Sequence, residues 1–170
     1  MRVLVASDGG LSAERAAEFA ARLAGPGGSI RVVTAVEVPR SVLDSLRAAY
    51  EEYERKEPID TDAEYVSASA PRERTSGWPG DDLFINRYVQ DQTETRLAEI
   101  RQELQRRGVT HETMGIESED PTAVVLDQLQ AYDADVLVVG SHGRGRFDGL
   151  LGSVGTKLVR RSPVPVLVCR

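Results

Sequence analysis

The apolar positions of the chain fall into short runs that alternate with longer amphipathic stretches. Runs rich in β-branched residues predict five strands, at 3–6, 30–36, 112–116, 136–139 and 164–169. Four of these runs are nearly continuous in apolar residues, which is typical of parallel strands that helices cover on both faces. The pattern therefore predicts an α/β fold with right-handed crossovers.

Between the strands, apolar residues recur with helical spacing and predict helices over 12–24, 41–56, 88–107 and 153–161. Another helix is expected to open at Asp120-Pro121, because proline is tolerated in a first turn. Ser12 is the predicted N-cap of the first helix, and Gly108 the predicted C-cap of the third. The residues expected to face the core are Ala16, Phe19, Ala20, Leu23, Val89, Thr93, Leu97, Ile100, Leu104, Val124, Val125 and Leu129.

One region interrupts the alternation of strand and helix. Residues 57–82 are polar and rich in Pro, Ser, Gly, Asp and Glu. We expect a single domain over 1–170 that carries an irregular or mobile insertion at about 40–85. Such a long loop is either a tolerated surface insertion or a segment that binds a partner or covers a site.

The composition narrows the class of protein. The net charge of −6 argues against broad nucleic-acid binding, which needs a basic surface. No apolar run approaches the roughly 20 residues that a membrane span requires, so no membrane association is expected. The single cysteine, Cys169, cannot form an internal disulfide, which fits a reducing cytoplasm.

Two glycine-containing turns follow strands and are candidates for ligand binding. Ser7-Asp8-Gly9-Gly10 follows the first strand, and Gly140-Ser141-His142-Gly143-Arg144-Gly145 follows the fourth. In open α/β sheets, ligands bind beyond the carboxyl ends of the strands, where the strand order reverses. If the fourth strand lies beside the first, both turns open into one crevice.

The second turn has the features of a phosphate site. Glycines let successive backbone amides approach an anion, and Gly152-Ser153 then opens a helix whose N-terminus favours negative charge. Arg144, Arg146 and Lys157 are close enough in sequence to add positive charge. The order GxxGxG after the fourth strand is neither the dinucleotide fingerprint nor a Walker A loop.

The segment GSHGRGRFDGLLGSVGTKLVRRSPVPVLVCR resembles the C-terminal block of universal stress proteins of the nucleotide-binding branch. That family's pattern is G-x-x-G, nine residues, then G-[ST], a helix and a Pro-Val-Leu-Val strand, and Asp8-Gly9 matches its first turn. Here the spacer has eight residues, 144–151, and Gly10 replaces a frequent serine or threonine. The resemblance implies a five-stranded open parallel sheet of order 3-2-1-4-5, like that of the adenine nucleotide alpha hydrolases.

The resemblance also assigns roles to the matching positions. Asp8 would contact the ribose or adenine, Ala35 and Val36 would line the adenine pocket, and Val139 and Gly140 would flank base and ribose. Gly143, Gly152, Ser153 and Val154 would hold the phosphates. The full set of implied nucleotide-binding residues is Ala6, Ser7, Asp8, Ala35, Val36, Val139, Gly140, Ser141, His142, Gly143, Arg144, Gly152, Ser153 and Val154.

The ligand implied is ATP, with AMP and ADP as alternatives, and Mg²⁺ or Mn²⁺ would arrive with the phosphates. No base or metal-ligand pair for phosphoryl transfer is evident, and His142 is assigned a structural role, so little or no turnover is expected beyond slow hydrolysis or self-phosphorylation at Ser153 or Ser141. A stress-response regulator is thus the leading hypothesis. The alternatives are a scaffold without nucleotide and an ATP pyrophosphatase, whose SGGxDS loop the 7–12 segment loosely resembles.

The last predicted strand, 164–169, is apolar and is expected at a sheet edge, where it needs a partner or a cover. In the family this strand pairs across a two-fold axis, so the resemblance implies a homodimer through 164–169. The sequence does not identify a partner protein.

Overall fold

The computed structural model describes residues 1–56, 81–141 and 151–169. Five strands form one parallel sheet, and their order is β3-β2-β1-β4-β5. The predicted fold class and the strand order that the resemblance implies are both confirmed. The strands are β1 (Arg2–Ala6), β2 (Ser29–Val36), β3 (His111–Glu117), β4 (Val136–Gly140) and β5 (Val166–Cys169).

Helices cover both faces of the sheet. They are α1 (Ala13–Ala24), α2 (Arg40–Lys56), α3 (Asp81–Arg106), α4 (Pro121–Tyr132) and α5 (Ser153–Arg161). Side chains of α1 and α3 pack on one face, against Val3, Val5 and Val138 among others. Side chains of α4 and α5 pack on the other face, against Leu4, Val33 and Leu137. Within the described ranges, no helix has the length and apolar character needed to cross a membrane.

Helix α1 differs from its prediction in two respects. Its buried residues are the small ones, Ala16, Ala17, Ala20 and Ala24, whereas Phe19 is 39% exposed. Alanines let the helix approach the sheet closely, and the larger side chain of Phe19 lies at the margin of this contact. Ser12 occupies the N-cap position, but its side chain forms no capping hydrogen bond.

The described part of the predicted insertion is helical. Helix α2 covers Arg40–Lys56, close to the predicted 41–56, and α3 begins at Asp81, before its predicted start at 88. The side chain of Arg47 in α2 forms a two-pronged ion pair with Asp81, and this hydrogen-bonded partner raises the pKa of the guanidinium. Asp81 and Asp82 also suit the first turn of a helix, because its dipole favours negative charge. Residues 57–80 of the insertion lie outside the described residues.

Helix α3 lies very close to the edge strand β3 at Gly115. A Cβ atom at this glycine would be 1.6 Å from Oγ1 of Thr93, so the threonine side chain occupies the space that any other residue would fill. The Thr93 hydroxyl donates to the carbonyl of Val89 at 2.6 Å, which holds the side chain in this position. The contact fixes where α3 lies along β3.

Candidate functional site

A cavity of about 380 Å³ opens at the carboxyl edge of the sheet. Strand β4 pairs with β1, as the sequence analysis required for one shared crevice, and β2 pairs with the other side of β1. The chain therefore leaves β1 and β4 at the point where the strand order reverses, the usual ligand position in such sheets. The volume falls within the range of small-molecule sites.

Most of the residues proposed from the sequence surround this cavity. Its wall includes the ends of β1, β2 and β4 and the first turn of α5. The predicted residues found there are Ala6, Ser7, Asp8, Ala35, Val139, Gly140, Gly152, Ser153 and Val154. Apolar side chains of Val33, Val125 and Leu158 complete the wall on the α4–α5 face.

Two side chains of the turn after β1 form hydrogen bonds with backbone amides of the same turn. The hydroxyl oxygen of Ser7 accepts from the amide of Gly9 at 3.0 Å, and Asp8 Oδ1 accepts from the amide of Gly10 at 2.9 Å. Gly9 adopts φ +88°, a conformation that glycine favours. Asp8 is exposed at the cavity, and no described residue donates to its second carboxylate oxygen, which can therefore accept from a ligand.

Ser141 connects the end of β4 to the start of α5. Its amide donates to the carbonyl of Cys169 at 2.7 Å, and its own carbonyl accepts from the amide of Gly152 at 3.3 Å. Ser141 is buried and is absent from the cavity wall. Its backbone thus places the N-terminus of α5 beside the carboxyl end of β4. Burial raises the pKa of the neighbouring Cys169 thiol.

Helix α5 presents an uncapped N-terminus to the cavity. Gly152 is its N-cap residue, and among the described residues no side chain caps the helix. Gly152, Ser153, Val154 and Gly155 all line the cavity. The first-turn amides of a helix lack partners within the helix and carry partial positive charge, so this arrangement can bind an anion.

Two of the proposed residues that the structure describes, Ser141 and Val36, do not line the cavity. Val36 is fully buried on the α3 side of the sheet, because neighbouring residues of a strand point to opposite faces. Its carbonyl accepts from the amide of Ser118 at 3.0 Å. His142, Gly143 and Arg144 lie outside the described residues.

The cavity wall also contains polar residues that the sequence analysis did not propose. Arg96 reaches it from α3, Glu37 follows β2, and Ser118 and Glu119 follow β3. The rule that ligands bind beyond strand ends predicted only the turns after β1 and β4, and its application to β3 would have found Ser118 and Glu119. No motif marks Arg96. Within the described part of the chain, no cluster of three or more His, Cys, Asp or Glu residues is arranged to hold a metal ion.

Three proteins similar to this chain are universal stress proteins by name. A universal stress protein of Mycolicibacterium smegmatis is 43% identical over 56 residues, which are 32% of this chain and only 18% of that relative's length. A universal stress protein solved in complex with cAMP is 21% identical and has a TM-score of 0.53, over 100% of this chain and 96% of that one. The universal stress protein of Archaeoglobus fulgidus in complex with dAMP is 19% identical, with a TM-score of 0.50 over 100% and 98% of the two chains.

The similarity to the two solved structures shows that the fold is shared. The family model is more specific, because the model for the universal stress protein family matches residues 1–170. The chain therefore belongs to the universal stress protein family.

Proposed function

We propose that the chain binds an adenine nucleotide, ATP or its AMP and ADP relatives, in the cavity at the carboxyl edge of the sheet. The observation that carries this proposal is the N-terminus of α5, which no described side chain caps and whose first-turn residues Gly152, Ser153 and Val154 line the cavity. Phosphate oxygens at this position accept hydrogen bonds from the helix amides and lie at the positive end of the helix dipole. Two relatives of the same fold were solved with cAMP and with dAMP, which supports an adenine nucleotide as the ligand.

The rest of the wall suits a nucleoside. Ala6, Val33, Ala35, Val125 and Val139 offer apolar surface to the flat faces of a base. In this arrangement the second carboxylate oxygen of Asp8 accepts a hydrogen bond from a ribose hydroxyl. Gly140 allows the sugar to approach the backbone closely.

The loop after β4 completes the proposed phosphate site. Its sequence, Gly140-Ser141-His142-Gly143-Arg144, is rich in residues whose amides approach an anion, and Arg144 adds positive charge. The role of His142, Gly143 and Arg144 is proposed from the sequence alone. Any Mg²⁺ or Mn²⁺ is expected to enter with the phosphates.

We assign the bound nucleotide a regulatory role in a stress response, with little or no turnover. Phosphoryl transfer needs a positioned nucleophile, charge stabilisation and usually metal ligands. An ATP pyrophosphatase is disfavoured by the turn after β1, because the side chains of Ser7 and Asp8 already occupy the amides of Gly9 and Gly10. A loop that binds an anion such as pyrophosphate through successive backbone amides needs those amides free.

We also propose a homodimer that forms through β5. This strand lies at one edge of the sheet, as predicted, and presents Val168, which is 37% exposed. Val159 of α5 is 46% exposed. Light scattering should give twice the chain mass at micromolar concentration, and Val168→Asp should give the monomer mass. A native chain of monomer mass would contradict the dimer without affecting the nucleotide site.

The nucleotide proposal is tested by calorimetric titration of the full chain with ATP. Saturable binding below millimolar concentration is expected, and mass spectrometry of nucleotide released from the purified protein should identify an adenine nucleotide. Gly152→Trp should weaken binding strongly, because the indole would fill the space before α5, whereas His142→Ala should have little effect. Absence of saturable binding would favour the alternative, a scaffold that has lost its nucleotide.

A further inference from the structure

Arg96 is the one cavity-lining cation among the described residues. It belongs to α3, on the far side of the sheet from the α4–α5 face that forms most of the wall. Its guanidinium reaches over the carboxyl edge of the sheet and donates from Nη1 to the carbonyl of Ala35 at 2.8 Å. The side chain is partly buried.

The carbonyl of Ala35 lies just beyond the residues of β2 that pair with β1. Pairing of β1 with β2 ends at Ala6 and Val33, and the amide of Ser7 donates to the carbonyl of Val33 at 3.0 Å. Peptide groups alternate along a strand, and the carbonyl of Val36 accepts from Ser118 on the β3 side. The Ala35 carbonyl therefore points to the β1 side, beyond the last pair, where the cavity begins.

The turn after β1 holds the arginine in place. A Cβ atom at Gly9 would lie 3.4 Å from Cα and Cβ of Arg96 and 3.5 Å from its Cγ, so the turn packs directly on the arginine stem. Only one of the several N–H donors of the guanidinium is used by Ala35. Within the described ranges no other acceptor engages this guanidinium, so its remaining donors and its positive charge are available at the β2 end of the cavity.

Glu37 stands two residues after Ala35 and also lines the cavity. It is exposed, and no ion pair joins it to Arg96 within the described residues. The other carboxylates on the wall are Asp8, whose Oδ1 is engaged by the turn, and Glu119, which follows β3. The β2 end of the cavity thus offers guanidinium donors beside a carboxylate acceptor.

This arrangement matches the edge of guanine better than that of adenine. Guanine presents the acceptors O6 and N7 together with an amine donor at N2, and arginine pairs with O6 and N7 through two hydrogen bonds. Adenine presents a donor amine at N6 where guanine has O6. A guanidinium next to that amine leaves donors facing donors, and such unpaired groups cost binding energy.

We infer that Arg96 is a specificity-determining residue that reduces the preference of the cleft for adenine over guanine. The inference rests on the proposed nucleotide site, with the phosphates at α5 and the base at the Ala35 end. The chain then binds ATP and GTP with similar affinity, and the arginine is the cause.

Calorimetric titrations of the full chain with ATP and with GTP test this inference. The ratio of the two Kd values in the native chain should lie within about tenfold of one. Arg96→Met keeps the aliphatic stem against Gly9 and removes the donors, so it should shift the ratio about tenfold towards ATP. Arg96→Lys keeps the charge but cannot form two parallel hydrogen bonds, so it should give an intermediate shift of the ratio. This variant also tests the inference if Arg96→Met does not fold.

Arg101→Met is the matched control, because Arg101 is an exposed arginine of the same helix that does not line this cavity. It should leave the ratio as in the native chain. The inference would be overturned if neither Arg96 variant changed the ratio of the Kd values for ATP and GTP. It would also be overturned if the native chain preferred ATP by more than about 100-fold. If neither nucleotide binds the native chain, the proposed function fails and this inference with it.

Discussion

Helices α4 and α5 begin at the same edge of the sheet and border the same cavity, but their N-termini differ in how they are capped. Helix α4 is capped by Asp120, whose Oδ1 accepts from the amides of Thr122 at 2.9 Å and Ala123 at 3.2 Å. Its first residue, Pro121, has no N–H to satisfy. Helix α5 starts after Gly152, which has no side chain with which to cap it.

The difference shows which of the two helices can serve an external anion. The carboxylate of Asp120 gives α4 a negative charge and a hydrogen-bond acceptor. A bound phosphate would give the same two things to α5. A helix that caps itself gains stability, whereas a helix that leaves its amides open depends on solvent or a ligand. We therefore propose that Asp-Pro marks a structural helix start in this chain and that Gly-Ser marks a ligand-binding one.

The strongest test gives α5 the cap of α4. In Gly152→Asp, the new carboxylate should occupy the first-turn amides and repel phosphate, so ATP binding should weaken about 100-fold or more. The backbone at Gly152, with φ −57° and ψ 163°, is one that aspartate adopts without strain. Stability should rise by roughly 0.5 kcal/mol, since the cap and the helix dipole both favour the carboxylate. Calorimetric titration and urea unfolding measure the two effects.

Gly152→Asn is the control for charge, because asparagine caps without a negative charge. It should weaken ATP binding less than Gly152→Asp does. A folded Gly152→Asp chain that binds ATP as tightly as the native chain would place the phosphates elsewhere than at α5.

The converse test removes the cap of α4. Asp120→Ala leaves the amides of Thr122 and Ala123 without their acceptor and should cost about 1 kcal/mol of unfolding free energy. For a domain of this size, the melting temperature should fall by roughly 3 °C. ATP affinity should stay within about twofold of the native value, because Asp120 does not line the cavity. A loss of affinity comparable to that of Gly152→Asp would erase the distinction between the two helices.

The smallest effect is expected at the Ser153 hydroxyl. Ser153→Ala removes at most one neutral hydrogen bond to a phosphate and leaves the backbone amides in place, so ATP binding should weaken about threefold. Titration with ATP under the conditions used for Gly152→Asp gives the comparison. A loss as large as that of Gly152→Asp would assign phosphate recognition to the hydroxyl and not to the helix N-terminus.

Much of the fold follows from periodicity in the sequence. Every predicted strand is present with bounds shifted by at most two residues, because β-branched apolar runs fit a sheet that is buried on both faces. Val124, Val125 and Leu129 are buried as expected. Phe19 shows the limit, since helical spacing does not reveal that alanines would be selected for close approach to the sheet.

The candidate site was predictable where it depends on strand ends and glycines. Asp8, Gly140 and Gly152 follow from these local signals, and the structure brings all three to one cavity. Arg96 was not predictable, because it is one of many charged residues on a long helix and reaches the cavity only through the packing of α3 on the turn at Gly9. Likewise, the contact of Asp81, the first residue of α3, with Arg47 of α2 joins two helices and has no local signal in the sequence.

The close contact at Gly115 has a consequence for how this cleft can evolve. Thr93, which fills the space of the missing Cβ, lies one helical turn before Arg96 on α3. A side chain at 115 would displace the helix, and the guanidinium would move with it. Under the role inferred for Arg96, ligand preference can therefore drift through a mutation on an edge strand, at a position that does not line the cavity and that a comparison of cavity residues would overlook.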